Sequence, residues 1–413
     1  MNWREKDMLG GLVWEPIKAG IPGLLMGVLS LTALLIGLVA VRLWQALRAS
    51  PWLTDVPAEK AAEVAAAMER LAVIVPAYNE AKNVVDCLTS ILESTSAPMQ
   101  VWLVDDDSTD TTWELAQALA AARMTQPHGP RLHLLKGDPR PEGQVWVGKN
   151  WACAQAVAAI EADYLLFLDC DVRLGSGAIE AALLHLLETE SGLVTVGPQL
   201  VCGCLAEWLV QPIMMTILAV GYNFAAVNDP NSSKAFAFGP FMLFRRSAYE
   251  HIGGHAGVAD VVVEDVTLGQ RIKAGGLGLK IRLGGARVRS RMYADGPALW
   301  EGWTKNWFLG LERNWFLAWS AIGTILVICS LPWLGLVVGL ATLNPWMLLP
   351  AGMGIAAQLG IRGLLKHWAD LPLRYWWLTG LGGWVTAAIV LASAIRTSTG
   401  RNWTWRGRSL AAN

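Results

Sequence analysis

Three acidic clusters in the sequence have the residue types and spacing of sites that bind cations or move protons. The first, Val104–Asp110, reads VDDDSTD and holds four carboxylates in six residues. Crowded carboxylates repel one another unless cations or hydrogen-bond donors compensate them, and a nucleotide base, a ribose and a metal ion would do so. The alternative is an acidic turn in which Ser108 or Thr109 caps the next helix.

The second cluster, Asp169-Cys170-Asp171, directly follows the apolar run Leu165–Leu168. Two carboxylates at the mouth of a strand can hold Mg²⁺ or Mn²⁺, whose remaining ligands would be diphosphate oxygens and water. Such a metal would neutralise charge on a departing nucleoside diphosphate. Because Asp-x-Asp is a common tripeptide, the alternative is an acidic turn that binds no metal.

The third cluster consists of Glu264 and Asp265, which follow the β-branched run Val261–Val263 and begin a predicted helix. A carboxylate there can take the proton of an acceptor hydroxyl while that oxygen attacks a sugar carbon. A single displacement of this kind inverts the anomeric centre. The alternative is that the two residues only stabilise the amino end of the helix, which favours acidic side chains.

Three further segments carry candidate binding residues. Val75–Glu80, VPAYNE, ends a strand with exposed amides and a carboxylate, or is an ordinary strand-to-helix junction. Gly143–Asn150 nearly spells a phosphate-binding P-loop, but an asparagine replaces the required Ser or Thr, so we expect Lys149 to contact phosphates from the following helix or to be solvated. Trp300–Trp307 brings aromatic residues and Lys305 to face a sugar diphosphate and a lipid head group, or anchors the chain at the membrane interface.

Short apolar runs alternate with helical stretches between residues 71 and 197, which predicts an α/β fold with a mainly parallel sheet covered by helices on both faces. Ligands of such sheets bind beyond the carboxyl ends of the strands. The predicted strands are Leu71–Val75, Gln100–Asp105, Leu132–Leu135, Tyr164–Asp169 and Leu193–Gly197, and the predicted helices are Asn79–Ser94, Thr109–Ala121, Gly148–Ile160 and Gly177–Leu187.

The chain is too apolar for an ordinary soluble protein, since 54% of its 413 residues are hydrophobic, 16% are charged and the mean hydropathy is +0.37. Ile21–Trp44 can cross a bilayer core of about 30 Å and is predicted to be an uncleaved anchor within the segment 1–57. Residues 58–313 would form a cytosolic domain, 314–396 a membrane region and 397–413 a basic tail. The spans predicted in the membrane region are Phe316–Thr342, Pro345–Leu364 and Leu373–Ile395.

Two apolar segments raise questions of topology. Glu207–Ala226 contains Pro212, and we expect an interfacial or re-entrant helix because a span would put the motifs before and after it on opposite sides of the membrane. Three terminal spans would send the arginines of the tail to the side opposite the loop Arg362–Arg374, against the positive-inside tendency. Either this tendency is broken or one terminal segment is a re-entrant hairpin.

Composition also bears on partners and compartment. A net charge of −1, from 33 basic and 34 acidic residues, gives no basic field for nucleic acid, so no nucleic-acid partner is expected. The six cysteines lack Cys-x-x-Cys spacing, which favours reduced thiols on a cytosolic domain over disulfides or a structural zinc site. The sequence does not predict an oligomeric state.

The order of the motifs is more specific than any one of them. VPAYNE, VDDDSTD, LDCD, GPFMLFRRSAYEHIGG and VEDVTLG, followed by an aromatic and basic segment, resemble the family-two inverting glycosyltransferases with the A-type fold. The resemblance extends over Leu71–Trp307. It implies a Rossmann-like nucleotide-diphospho-sugar transferase domain joined to transmembrane helices, a UDP-sugar donor, and Mg²⁺ or Mn²⁺ as cofactor.

The resemblance also implies roles for the matched residues. These are Asp105 and Asp106 for the uridine and ribose, Asp169 and Asp171 for the diphosphate and its metal, Asp265 beside Glu264 as the general base, Pro76, Tyr78, Glu80, Lys149 and Lys305 for the rest of the donor pocket, and Trp303 and Trp307 for the acceptor at the membrane interface.

An amino-terminal anchor and a hydrophobic carboxyl-terminal region resemble the lipid-modifying branch of the family, which includes ceramide glucosyltransferases, hopanoid-associated enzymes and bacterial carotenoid glycosyltransferases. The tail Gly400–Arg408 is similar to that of the last two groups. The family's usual fifth motif, Gln/Arg-x-x-Arg-Trp, is replaced here by Gly302–Asn306, which weighs against a processive synthase.

The resemblance therefore leads to one main expectation and two alternatives. We expect transfer of a single sugar, by default glucose, from a UDP-sugar to a hydroxyl of a carotenoid, hopanoid, sphingolipid or glycerolipid. The catalytic domain would face the cytoplasm. The alternatives are a processive or short-chain polysaccharide synthase and a non-catalytic membrane protein that binds nucleotide sugars.

Overall fold

The protein folds around one eight-stranded sheet. The computed structural model describes the backbone of residues 3–123, 129–399, 403–405 and 408–410, and the side chains of residues 23–123, 129–399 and 408. The strands of the sheet are β1 Leu71–Ala77, β2 Gln100–Asp105, β3 Arg131–Lys136, β4 Tyr164–Leu168, β5 Val172–Leu174, β6 Leu193–Leu200, β7 Phe241–Arg245 and β8 Leu279–Ser290.

The sheet is mixed, with the order β3-β2-β1-β4-β7-β6-β8-β5. β3, β2, β1 and β4 run parallel, whereas β7 is antiparallel to both of its neighbours. All five predicted strands are present. The sequence does not predict β5, β7 and β8, because β5 has three residues and none of the three follows the alternation of apolar run and helical crossover that marks the parallel half.

Fifteen helices surround the sheet in the described part of the chain. They are α1 Trp3–Arg48, α2 Ala61–Met68, α3 Val84–Glu93, α4 Thr112–Arg123, α5 Gly148–Ala159, α6 Ala178–Glu188, α7 Leu205–Tyr222, α8 Phe224–Asn228, α9 Arg246–His251, α10 Glu264–Ala274, α11 Gly296–Gly310, α12 Trp315–Ile325, α13 Leu331–Ala341, α14 Pro345–Ala369 and α15 Thr379–Ser398. A π-helical turn, Leu326–Ser330, joins α12 to α13.

The apolar helices are part of the same core as the sheet. Ile36 and Leu43 of α1 are fully buried and belong to one cluster with Ile74 of β1, Phe167 of β4 and Leu365 of α14. Burial of this apolar surface fixes α1 and α14 against one face of the sheet. These apolar helices and the α/β domain therefore share one hydrophobic core on that side.

Five helices of the described chain are long and apolar enough to cross a membrane. They are Gly23–Arg48, Leu205–Tyr222, Trp315–Ala341, Pro345–Ala369 and Trp376–Ser398. α1 packs along α14, α13 also packs on α14, and α15 packs on α7 and α11. The apolar stretch with Pro212 is thus a continuous helix, α7, whose partners include α15.

The chain contacts the α/β domain both before and after α15. Before α15, the Gln199 side-chain amide at the end of β6 donates a hydrogen bond to Asp370 Oδ2 at 2.9 Å. After α15, the chain returns to the sheet, where Arg408 forms an ion pair with Asp106. The segments that flank this helix, at Asp370 and at Arg408, consequently both contact the α/β domain.

Candidate active site

The loops that follow β1 and β2 are tied together by hydrogen bonds. Asn79 has a left-handed backbone, with φ +53°, and its side-chain oxygen accepts the Thr109 N–H at 2.8 Å. The Asn79 N–H in turn donates to the Ser108 hydroxyl at 3.0 Å. Asn tolerates this left-handed conformation and forms local hydrogen bonds. These hydrogen bonds join the two motifs into one wall of the cavity. α3 begins at Val84 rather than at Asn79.

The two aspartates that end this wall have different environments. Asp105 is 1% exposed; its Oδ2 accepts the Ser108 N–H at 3.2 Å, and its Oδ1 has no hydrogen-bond partner in the described chain. Asp106 is 8% exposed, and its Oδ2 lies 3.2 Å from Arg140 Nη2 and 2.5 Å from Arg408 Nη1. Asp106 therefore faces cations at the cavity, while Asp105 lies behind it.

Lys149 joins two of the acidic clusters. Its ammonium nitrogen lies 2.7 Å from Asp169 Oδ1 and 2.7 Å from Glu264 Oε1. Burial alone would lower the pKa of Lys149, but the two carboxylates raise it well above its usual range. Burial would raise the pKa of Glu264, and the charge of Lys149 instead lowers it. Lys149 is therefore a cation held between the end of β4 and the start of α10.

Asn150, which departs from the P-loop pattern, has a structural task. It is fully buried, and its side-chain amide donates to the backbone oxygens of Val258 at 2.7 Å and Val261 at 2.9 Å. These bonds hold the segment that leads into α10. The local geometry supports the rejection of a P-loop and shows how α5 positions the third acidic cluster.

Asp265 lies in the first turn of α10. Its Oδ2 accepts the Gly239 N–H at 2.9 Å. Burial, together with the charge of Glu264, raises the pKa of Asp265 to about 7. A carboxyl group with this pKa is partly deprotonated near neutral pH, which suits a general base. A Cβ at Gly239 would lie 2.7 Å from Asp265 Oδ2, so this close approach of backbone to carboxylate requires glycine.

Asp169 and Asp171 both line the cavity, and Asp171 Oδ1 lies 3.3 Å from Ser290 Oγ. The described residues contain no group of three or more His, Cys, Asp and Glu side chains that could hold a metal ion. Two carboxylates beside one cavity nevertheless fit a hard divalent cation that takes its other ligands from a diphosphate and water. Asp169 and Asp171 would then be the side chains through which the protein binds the cation.

The three acidic clusters meet in one cavity of about 260 Å³. It opens where β1, β2 and β4 end, as expected for a sheet with this topology. The cavity brings together most of the residues singled out in the sequence. Those that line it are Pro76, Tyr78, Glu80, Asp106, Lys149, Asp169, Asp171, Glu264, Asp265 and Lys305.

Residues 72–253, which run from the second residue of β1 to beyond β7, match the family model of glycosyl transferase family 2. We call this matched region, residues 72–253, the family 2 domain. It is 30% identical over 239 residues to the 4,4'-diaponeurosporenoate glycosyltransferase of Staphylococcus aureus (strain USA300), with 57% of this chain and 60% of the relative covered. For the protein of that name from Staphylococcus haemolyticus, identity is 29% over 250 residues, and coverage is 60% and 63%. The chain thus spans less than two thirds of these relatives.

A solved structure shares the fold of the family 2 domain and its helices. It is a mannosyltransferase from Pyrobaculum calidifontis in complex with GDP-Man and Mn²⁺, and it matches with a TM-score of 0.51 and 19% sequence identity. The match covers 90% of this chain and 99% of that one. The prediction of an A-type α/β domain joined to apolar helices is confirmed.

Three of the residues singled out in the sequence do not line the cavity of the family 2 domain. Besides Asp105, these are Trp303 and Trp307. The Trp303 indole N–H donates to Gln211 Oε1 of α7 at 3.0 Å, and Trp307 packs against a buried apolar cluster that includes Ile213 of α7. Both indoles connect α11 to neighbouring helices, so their contribution to an acceptor site would come from fixing α11.

Among the other residues that line the cavity, four with charged, aromatic or thioether side chains were not assigned to the site from the sequence. They are Arg140, Met292, Tyr293 and Arg408. Arg140 lies in the loop between β3 and α5, before the Gly143–Asn150 segment and outside any motif. Met292 and Tyr293 follow the unpredicted strand β8. For Arg408, the sequence offered one signal, which is the similarity of the segment Gly400–Arg408 to the tails of hopanoid-associated and carotenoid glycosyltransferases.

Proposed function

We propose that the protein is a membrane-bound inverting glycosyltransferase that moves one sugar, by default glucose, from a UDP-sugar to an oxygen of a carotenoid-type lipid. The observation that carries this proposal is the cavity itself. On one side it has the carboxylates at the strand ends, and on the other it has Lys305 of α11, a helix that packs on α7 and α15. A polar donor and an apolar acceptor can therefore approach from opposite walls.

The donor half of the cavity would be the wall formed by the ends of β1, β2 and β4. Tyr78 offers an aromatic face and Asp106 a carboxylate to the nucleoside. Asp169 and Asp171 would hold Mg²⁺ or Mn²⁺, which supplies charge neutralisation for the leaving diphosphate when bound. Lys149 fixes Asp169 and Glu264 in place through its two 2.7 Å contacts.

The acceptor half would be the wall next to the apolar helices. Met292 and Tyr293 line the cavity and also pack against Met214 of α7 and Leu299 of α11. This wall is continuous with helices of membrane character. The names of the curated relatives specify 4,4'-diaponeurosporenoate, which favours a carotenoid-type lipid among the acceptors. The catalytic domain would face the cytoplasm.

Asp265 would act as the general base. In a single displacement, it accepts the proton of the acceptor hydroxyl as that oxygen bonds to the anomeric carbon and the nucleoside diphosphate departs. A lipid carboxylate is already ionised at neutral pH and does not need this proton transfer. The raised pKa of Asp265 therefore favours a hydroxyl acceptor, although the acceptor in the relatives' name, 4,4'-diaponeurosporenoate, is a carboxylate.

The test is transfer of radiolabelled sugar from a panel of nucleotide sugars into membrane lipid by the purified protein in detergent, with Mn²⁺ or with EDTA. We expect one metal-dependent labelled lipid on thin-layer separation. Label in a polymer would replace the proposal with the synthase alternative. Donor binding without any incorporation into carotenoid, hopanoid, sphingolipid or glycerolipid would favour the non-catalytic alternative.

A further inference from the structure

Arg408 enters the cavity from a part of the chain far from the family 2 domain. It begins β10 Arg408–Leu410, which pairs antiparallel with β9 Trp403–Trp405, and β9 lies beside α11. The Arg408 guanidinium carbon lies 4.1 Å from the centroid of the Tyr78 ring. Its Nη1 lies 2.5 Å from Asp106 Oδ2, and its Nη2 lies 3.8 Å from Asp107 Oδ2.

The two main partners of Arg408 are the groups that a nucleobase would use. A base stacks on an aromatic face, and its ring N–H donates to an acceptor such as a buried carboxylate. Tyr78 and Asp106 offer these two features on one wall of the cavity. The planar guanidinium of Arg408 can make the same two contacts as a nucleobase, because it stacks on aromatic rings and donates hydrogen bonds to carboxylates. Arg408 therefore occupies the place of the base.

We propose that Arg408 is a donor-site residue that holds Tyr78 and Asp106 in the donor-free protein and pairs with the diphosphate once the nucleobase takes those two partners. The inference rests on the proposed nucleoside diphosphate donor. Its physical basis is the balance of charge around the cavity. Lys149 is already shared by Asp169 and Glu264, so a cation released from Asp106 would add to the charge that the proposed metal, Arg140 and Lys305 offer an arriving diphosphate. A guanidinium released from Asp106 matches phosphate oxygens in charge and geometry.

The test separates the charge of the ligand from its base. Binding of UDP and of uridine is measured by calorimetry on the full-length protein in detergent with Mn²⁺ present. In Arg408→Ala, UDP affinity should fall about tenfold or more, as expected for the loss of a charge-assisted hydrogen bond. Uridine affinity should stay unchanged or increase. In this variant uridine no longer has to displace Arg408, and it has no diphosphate whose contact with Arg408 could be lost.

Two matched variants complete the experiment. Arg408→Lys keeps the charge and should recover part of the UDP affinity. Arg131→Ala removes an exposed arginine at the amino end of β3, whereas the cavity opens at the carboxyl ends of the strands. This variant should leave the affinities for UDP and for uridine unchanged. Unchanged UDP affinity in Arg408→Ala would overturn the inference, and so would an equal loss for UDP and uridine, which indicates a change in cavity shape.

The same data distinguish this inference from the proposed function. If the unmodified protein binds neither UDP nor UDP-sugars, the donor assignment itself fails. If it binds UDP and Arg408→Ala binds UDP equally well, only the role of Arg408 fails. A rise in KM for the donor in Arg408→Ala, with little change in kcat, would support a binding role over a catalytic one.

Discussion

At the residue scale, the chemistry of the cavity depends on how neighbouring charges share their partners. Glu264 and Asp265 are adjacent in sequence, yet Lys149 contacts Glu264 and lowers its pKa, whereas burial and the charge of Glu264 raise that of Asp265 to about 7. One carboxylate therefore stays ionised for structure, and the other can exchange a proton. The environments, and not the residue types, separate the two roles.

Replacement of the proposed base should reduce transfer without reducing donor binding. In Asp265→Asn we expect kcat to fall by about 10²-fold or more, because a general base contributes about that much. UDP affinity by calorimetry should stay within about twofold, because no donor contact is assigned to Asp265. Full activity of this variant with a hydroxyl acceptor would show that Asp265 is not the general base. Full activity with a carboxylic-acid acceptor alone would identify an acceptor that needs no base.

The same residue gives a pH dependence whose direction is fixed. Asp265 must be deprotonated to accept a proton, and its pKa is about 7. With a hydroxyl acceptor, kcat/KM should therefore rise as pH increases from 5.5 to 7 (about tenfold per unit well below the pKa) and level off above about 7.5. The check is a pH profile measured at saturating Mn²⁺. A flat profile across this window would contradict proton transfer to Asp265.

Asp171→Ala should weaken donor binding only when the metal is present. The reason is that Asp171 is one of two carboxylates that would connect the protein to the cation bound by the diphosphate. We expect a loss of about tenfold or more in UDP affinity with Mn²⁺ and little change with EDTA. Asp86→Ala, whose side chain is 75% exposed on α3, is the matched control. Equal affinities with Mn²⁺ for Asp171→Ala and the unmodified protein would contradict the assignment.

At the element scale, short loops between strands and helices set the position of each functional group. The turn before β7 brings the Gly239 N–H to Asp265, and Asn150 at the start of α5 holds the segment before α10. β7 runs antiparallel between β4 and β6, which places this turn beside the Asp-x-Asp segment. The unpredicted antiparallel strand thus supports the proposed base, Asp265.

A side chain at position 239 should disturb the base without disturbing the donor. In Gly239→Ala, the new Cβ would approach Asp265 Oδ2 to 2.7 Å, so the carboxylate must move and its hydrogen bond to the backbone weakens. We expect kcat to fall by about tenfold, which corresponds to about 1.4 kcal/mol, with UDP affinity unchanged. Gly360→Ala, where nothing lies within 4 Å, is the control and should keep full activity. A loss of UDP affinity in Gly239→Ala would point to a general distortion instead.

At the scale of the whole molecule, contacts before and after α15 favour one of the two topologies that the sequence leaves open. The Asp370–Gln199 hydrogen bond precedes α15 and the Arg408–Asp106 ion pair follows it, so the chain contacts the catalytic domain on both sides of this helix. We propose that α15 enters the membrane interface without crossing it. The basic loop and the basic tail then share one side, as the positive-inside tendency requires.

Single cysteines provide the test of this topology. Pro372→Cys and Thr399→Cys, at exposed positions before and after α15, should react with an impermeant maleimide from the same side as Asp138→Cys in the catalytic domain. Leu343→Cys, in the turn between α13 and α14, is 83% exposed and should react from the opposite side. Labelling of positions 372 and 399 from opposite sides would show that α15 crosses the bilayer.

The sequence by itself determined the parallel half of the sheet, the apolar helices and most residues of the cavity. The reason is local: a buried run such as Tyr164–Leu168 must end at the carboxyl edge, so the acidic residues after it lie where ligands bind. Only the tertiary structure placed β7 against β4 and turned Asp105 behind the cavity. It also decided that Lys149 serves two carboxylates and that Arg408, 302 residues from Asp106, meets it. These contacts join residues far apart in the chain, and no periodicity or spacing encodes a pairing made by packing.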